Sequence, residues 1–359
     1  MADRARHAAM RRLVRVLALT AALAMVATAC SGDNDTTGRV PDDRATTGGE
    51  LGGTLTVYSR ERDFAEPLFE RFEQKTGIKI RARWGDPVDL ADQIIADGTD
   101  SPADVYYGPL SDALGTLSAA GRLARLSDEQ LNRVPEAYRS PDGTWVGTAG
   151  RAHVVFYNTD KLSADDLPDS ILGFTDPAWR GRIGWDPTSR SLRDVVTELR
   201  ELNGEDAARR WLEGIQANRP AVFRGAMPII DAVAAGEITD VGFGSHSYLY
   251  YMHADGKASN VAAKFYPGKP GGLLNLGGVG IIKDTDNAAA AGALVDFLLS
   301  PQAQRYMAAD TFEIPVIKNV KPPKGIPTAD ELIVPGLEAK QFEELPDADR
   351  LLTEVGIIG

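Results

Sequence analysis

The chain has 359 residues, of which 39 are basic and 51 acidic, so its formal net charge is −12. This surplus of acid excludes the usual basic face of a nucleic-acid-binding protein. The sequence has four scattered histidines and lacks GxSxG, HExxH, CxxC and Walker patterns, so it offers no recognisable catalytic motif, and we predict that the protein is not an enzyme.

The first 29 residues combine a basic start with a short apolar run. Five arginines precede residue 16, and the apolar stretch extends from Val16 to Thr28. A transmembrane helix needs roughly 20 apolar residues, so this pattern predicts a signal peptide over residues 1–29. Small residues before Cys30, the only cysteine, resemble the lipobox of bacterial lipoproteins, although Ala27 stands where leucine is usual. The resemblance implies acylation of Cys30 and an extracytoplasmic protein anchored to the membrane by lipid.

Residues 30–52 are rich in Gly, Asp and Thr and have few large apolar side chains. Such a segment buries too little surface to offset the entropy cost of ordering it, so we predict a flexible tether after the lipidated cysteine. Without residues 1–29 the chain carries 34 basic and 50 acidic side chains, a net charge of −16. That charge argues against electrostatic docking on anionic lipid.

The body begins with alternating strand and helix patterns. Strands and helices that alternate in this way predict a parallel sheet with right-handed crossovers. In chain order the pattern predicts a strand at 54–59, a helix with an apolar face through Phe72, a strand at 78–84, a helix at 90–95 and a strand at 103–107.

A second lobe is predicted to begin near Val154 and to contain further alternating elements. We expect residues 53–152 and 276–325 to form lobe 1, and residues 153–275 and 326–359 to form lobe 2. Two α/β lobes joined by chain crossings leave a cleft at the carboxyl ends of strands, where ligands bind in open α/β sheets. The predicted second-lobe elements are a strand at 183–186, helices at 191–202, 205–216 and 229–235, and a strand at 241–243.

Several segments together resemble the ferric-iron-binding, type 2 periplasmic solute-binding proteins of ABC importers. They are LTVYS at 55–59, SPADVYYGP at 101–109, GRAHVVFYNTDKL at 150–162, DPAWRGRIGWDPTS at 176–189 and LLNLGGVGIIK at 273–283. The resemblance covers residues 54–320. It implies a bilobal Venus-flytrap α/β fold with a hinge and an interlobe cleft, and closure around the ligand. It also implies a monomer that works with an ABC permease and carries Fe³⁺ with a synergistic anion.

Members of that family usually carry two adjacent tyrosines in the second lobe, which bind iron as phenolates. Here the pair aligns with Ser247 and Tyr248, and a later pair begins at Tyr250. Tyr107 ends a strand and can face the cleft. The resemblance therefore implies Tyr248, Tyr250 and Tyr107 as metal ligands. Arg62 and Pro109 stand where other ligands occur in the family, and an arginine cannot ligate a metal.

The stretch from Pro187 to Ser191 matches the family's loop for a synergistic anion. It leads into a helix, whose N-terminal amides and dipole favour an anion. Ser189 matches the family residue that holds carbonate or phosphate, although it can instead be only a helix N-cap. The predicted ligand- and anion-binding residues are Ser189, Arg190, Ser191, Arg151 and Arg62.

Three functions remain open from the sequence. The cleft binds ferric iron through tyrosine and an external anion. Alternatively, it binds an organic or phosphorylated anion directly, with Arg62, Arg151 and Arg190 as counter-charges. In a third alternative, the chain is an adhesion or structural lipoprotein whose lobes do not move.

Overall fold

A computed structural model describes residues 53–60, 62–109, 113–335 and 345–359. The predicted signal peptide, Cys30 and the tether therefore lie outside the described residues. Within the described ranges, no helix has both the length and the apolar character needed to cross a membrane.

Strands and helices alternate along the described chain, as the sequence patterns predict. The strands are β1 (Thr54–Ser59), β2 (Lys79–Trp84), β3 (Val105–Pro109), β4 (Trp145–Asn158), β5 (Ile183–Trp185), β6 (Ala221–Val222), β7 (Val241–Ser245), β8 (Val261–Lys264), β9 (Leu274–Ile281) and β10 (Ile314–Pro315). The α-helices are α1 (Arg62–Thr76), α2 (Pro87–Asp97), α3 (Gly115–Ala119), α4 (Asp128–Leu131), α5 (Arg190–Asn203), α6 (Glu205–Ala217), α7 (Ala226–Ala235), α8 (His246–Ala254), α9 (Ala288–Leu298), α10 (Pro301–Asp310) and α11 (Leu345–Glu354).

The first lobe is built on a parallel arrangement of β1, β2 and β3. Thr54 of β1 aligns with Lys79 of β2, and Val57 aligns with Val105 of β3. This confirms the predicted parallel sheet, while β9 joins β3 in the antiparallel direction. The apolar faces of α1 and α9 cover this sheet, with the Phe72 and Phe297 rings 5.6 Å apart.

Strand β4 continues from one lobe into the other. Its first half pairs with β9 as far as Ala152, and its second half pairs with β7 from His153 onward. The change of partner falls between Ala152 and His153. A continuous strand therefore connects the two halves of the sheet at this position.

The second lobe has its own apolar core around the rings of Phe174, Trp211 and Phe243, whose centroids lie 5.5 to 6.1 Å apart in successive pairs. Leu351 and Leu352 of α11 pack into this core. Residues 326–332, which the sequence assigned to lobe 2, instead contribute Ile326, Ala329 and Leu332 to the first core. We therefore propose that lobe 1 extends to residue 335 and that residues 345–359 belong to lobe 2.

Candidate ligand-binding site

A small cavity lies where the carboxyl ends of β1 and β3 meet β4, β9 and the segment before β10. Its volume is about 60 Å³. One water molecule needs roughly 10–15 Å³ of such space, so the cavity is large enough for an ion together with small polar groups. Polar and aromatic side chains that line it are those of Ser59, Phe64, Tyr107, Arg151, Asn275 and Glu313.

Two opposite charges meet inside this cavity. Arg151 Nη2 lies 3.1 Å from Glu313 Oε1, and the two side chains are 18% and 14% exposed. The pairing of Gly150 with Ile314 places both residues at the same level of neighbouring strands. The guanidinium also stacks over the Phe64 ring, 4.8 Å from its centroid. The cavity therefore holds a mostly buried, charge-compensated pair.

Tyr107 reaches the same cavity from the carboxyl end of β3. Its ring packs against Phe69 at 5.9 Å, and its hydroxyl lies 3.9 Å from the Met307 sulfur. Thioether sulfur is a weak acceptor. The structure thus brings together Tyr107 and Arg151, two of the residues selected from the sequence.

Helix α5 is connected to the cavity wall by a side-chain hydrogen bond near its start. Ser189 is its N-cap: its hydroxyl accepts from the Leu192 amide at 3.2 Å and donates to the Asp186 carbonyl at 2.8 Å. Arg190 Nε lies 4.0 Å from Asp194 Oδ2. That carboxylate accepts a hydrogen bond from the side chain of Asn275, which lines the cavity.

Asp194, which accepts this hydrogen bond, is buried, and its side chain is 3% exposed. Burial raises the pKa of its carboxyl group, and the nearby Arg190 opposes that shift. Ser191 follows in the first turn of α5 and is partly buried. Ser189, Arg190 and Ser191 do not line the cavity, so the predicted anion loop is adjacent to it and not part of its wall.

The tyrosines of α8 occupy two different environments. The ring of Tyr248 is partly buried against the cluster that contains Val154 and Phe156. Tyr250 packs 6.0 Å from both His246 and Phe312, and burial raises the pKa of its phenol.

Arg62, like Arg190, lies outside the cavity wall. It begins α1, its side chain is 64% exposed, and its guanidinium pairs with Glu66 at 3.0 Å. The charge of Arg62 is therefore shared with a neighbour in the same helix and faces solvent.

Sequence reasoning missed Glu313 and Asn275. Glu313 is a single acid in the apolar segment TFEIPVI. A buried carboxylate is rare unless it is paired. An acid within an apolar segment was therefore the sequence signal that could have identified Glu313. Among the described residues, no group of three or more His, Cys, Asp or Glu could hold a metal ion. A metal in the cavity would therefore depend on phenol, a single carboxylate and an external anion.

Comparison with known proteins identifies the family of the chain. Residues 67–333 match the family described as bacterial extracellular solute-binding protein. The chain is 32% identical over 312 residues to the major ferric iron-binding protein of Neisseria meningitidis, covering 84% of this chain and 93% of that protein.

Two solved structures resemble the fold closely. The iron-bound structure of HitA from Pseudomonas aeruginosa is 30% identical, with a TM-score of 0.75 over 84% of this chain and 99% of that one. A Trichodesmium protein solved with iron and citrate ligands is 28% identical, with a TM-score of 0.72 over 85% of this chain and 99% of that one. These matches confirm the predicted bilobal type 2 fold, and the chain belongs to the family of bacterial extracellular solute-binding proteins.

Proposed function

We propose that this protein binds ferric iron together with a small anion outside the membrane and delivers it to an ABC permease. The observation that carries the proposal is the cavity of about 60 Å³ that holds Arg151, Glu313 and Tyr107. The relatives named above support it, because the Neisseria protein is described as ferric iron-binding and the two solved structures contain iron. Family membership also supports transport and confirms that the chain is not an enzyme.

The donor chemistry suits a hard cation. Carboxylate and phenolate oxygens favour hard metal ions over soft ones. Tyr107 lies in the cavity, and Tyr248 is the tyrosine of α8 that the resemblance aligns with the metal shell. Arg151 in the cavity and Arg190 at the start of α5 would neutralise the accompanying anion.

Capture follows from closure about β4. A ligand that contacts both lobes only in the closed form shifts the equilibrium towards that form by its difference in affinity. Strand β4 is continuous between the two cores, so we propose that it acts as the hinge. The permease then recognises the closed form, and no bond of the cargo is broken.

We also propose a signal peptide over residues 1–29, acylation of Cys30 and a monomeric lipid-anchored receptor. The basic and apolar pattern before Cys30 supports this proposal. Labelling of the expressed protein with a fatty acid, which a Cys30→Ala variant should abolish, is the measurement. Labelling of that variant at the wild-type level would contradict the anchor.

The direct test of the cargo is to load purified protein with ferric citrate. A phenolate-bound ferric ion gives a visible charge-transfer band, and elemental analysis should find about one iron per chain. A colourless protein without iron would overturn the ferric proposal.

The alternative is a directly bound organic or phosphorylated anion, with Arg151 in the cavity as its counter-charge. It predicts that an anion alone raises the melting temperature and that Arg190→Ala abolishes the effect. An adhesion or structural role predicts no change in melting temperature with either iron or anion.

A further inference from the structure

We propose that Glu313 determines specificity by making the cavity select a metal–anion pair over a free anion. The inference rests on the proposed ferric function, from which it takes the metal. It adds a residue and a mechanism of selection that the predicted site did not contain.

The position of Glu313 is set by the backbone on both sides. Ile314 pairs with Gly150, which brings Glu313 beside Arg151. The Thr311 hydroxyl, whose single proton is shared with the Met307 carbonyl at 2.6 Å, lies 3.0 Å from Glu313 Oε2. Contacts with Arg151 and Thr311 therefore hold the carboxylate at the cavity.

The residue before Glu313 adopts an uncommon conformation. Phe312 has φ 53°, in the left-handed region that non-glycine residues seldom occupy. Its carbonyl accepts from His246 Nε2 at 2.8 Å, while His246 Nδ1 accepts from the Ala152 amide at 3.0 Å. A strained backbone maintained by surrounding contacts is a common feature of ligand sites. Here the hydrogen bonds of His246 connect α8 with β4 and with the segment that carries Glu313.

The selection follows from charge. A free anion that approaches Arg151 has to compete with Glu313 for the same guanidinium. A free cation that approaches Glu313 has to compete with Arg151. A metal with its anion satisfies both, because the carboxylate turns to the metal and the guanidinium turns to the anion. Rejection of an incomplete ligand by a resident opposite charge is a known route to specificity.

A purely structural pair makes a different prediction. If Arg151 and Glu313 only tie β10 to β4, removal of the carboxylate loosens the site and weakens every ligand alike. If Glu313 selects the ligand, Glu313→Gln should weaken iron and strengthen the free anion. The two explanations therefore predict opposite changes in the affinity for the free anion.

The experiment compares wild type with Glu313→Gln by calorimetric titration with citrate alone and by iron retention after loading with ferric citrate. We expect citrate to bind about tenfold more tightly and iron to be held about tenfold less tightly in the variant. Equal weakening of both ligands, or no change in either, would overturn the role of Glu313.

Two further variants make the result decisive. Glu313→Asp keeps the negative charge. If Glu313→Gln acts by removing that charge and not by damaging the fold, Glu313→Asp should reject free citrate as wild type does. Asp284→Asn breaks the Arg122–Asp284 pair, which has the same 3.1 Å separation and does not line the cavity. It should leave both ligand measurements at wild-type values. A wild-type protein that retains no iron would overturn the ferric proposal itself, and that result is visible without any variant.

Discussion

The two regions that would meet around a ligand differ in how far they are organised beforehand. On the first-lobe side, Arg151 and Glu313 already compensate each other in a defined cavity. On the second-lobe side, Ser189 caps its own helix, and the Tyr248 ring is partly buried against an apolar cluster. We therefore propose that the first region is preorganised and that the second gains its ligand contacts through closure. Four variants test this division.

The largest effect should come from the α8 tyrosines. Tyr248→Phe should lower ferric affinity about a hundredfold and remove much of the charge-transfer band, because the variant loses a phenolate ligand. Tyr250→Phe is the matched control, since its ring packs between those of His246 and Phe312. We expect that control to keep its iron. Loss of iron in the Tyr250 variant alone would reverse our assignment of the two tyrosines.

The next effect concerns stability and comes from Glu198, a buried residue of α5. Burial raises the pKa of Glu198 to about 8, although its carboxylate accepts a bond from the Gly271 amide at 3.1 Å. Between pH 4.5 and 8, Glu198 therefore keeps its proton in the folded state and loses it in the unfolded state. The free energy of unfolding consequently falls as the pH rises through this range. Glu198→Gln should stabilise the protein at pH 8 by on the order of 3 kcal/mol, measured by denaturant unfolding.

The acid side provides the control for that variant. Burial lowers the pKa of His153 and of His246 to about 4, so only the unfolded state gains these protons between pH 6.5 and 4. Wild type and Glu198→Gln should both lose stability as pH falls through this range. A variant whose stability still falls between pH 6 and 8 as steeply as wild type would contradict the assignment to Glu198.

A smaller effect should separate the two possible roles of Ser189. Ser189→Ala should cost about 1 kcal/mol of stability through loss of the cap. Ser300→Ala is the matched control, because Ser300 caps α10 by accepting from the Ala303 amide at 3.3 Å. Both variants should melt earlier, and only the Ser189 variant should also bind the iron-associated anion less tightly. Identical ligand affinity in the two would leave Ser189 with capping alone.

The smallest effect should come from Arg62. Its exposed pair with Glu66 contributes little in solvent, and its side chain is outside the cavity wall. Arg62→Ala should leave iron and citrate affinities at wild-type values in the same titrations. Arg151→Ala is the comparison, and it should change both. A loss of citrate affinity in the Arg62 variant would place that residue in the closed site after all.

The sequence by itself determined the succession of strands and helices, because period-2 and period-3.6 apolar patterns are local properties of the chain. Together with the family resemblance, these patterns predicted the parallel sheet of β1, β2 and β3, and they left a cap or an anion contact open for Ser189, which caps its helix. Tyr107 and Arg151, both selected from the sequence, line one cavity, and ligand binding by either stays a prediction.

Tertiary structure alone decided which distant residues share a site. Glu313 meets Arg151 because β10 pairs with β4, and Asn275 meets Asp194 across a separation of 81 residues. Neither contact follows from residue spacing, since each depends on how strands far apart in the chain align. Packing likewise raised the pKa of the Tyr250 phenol and left Arg62 in solvent, because burial is a property of the assembled fold.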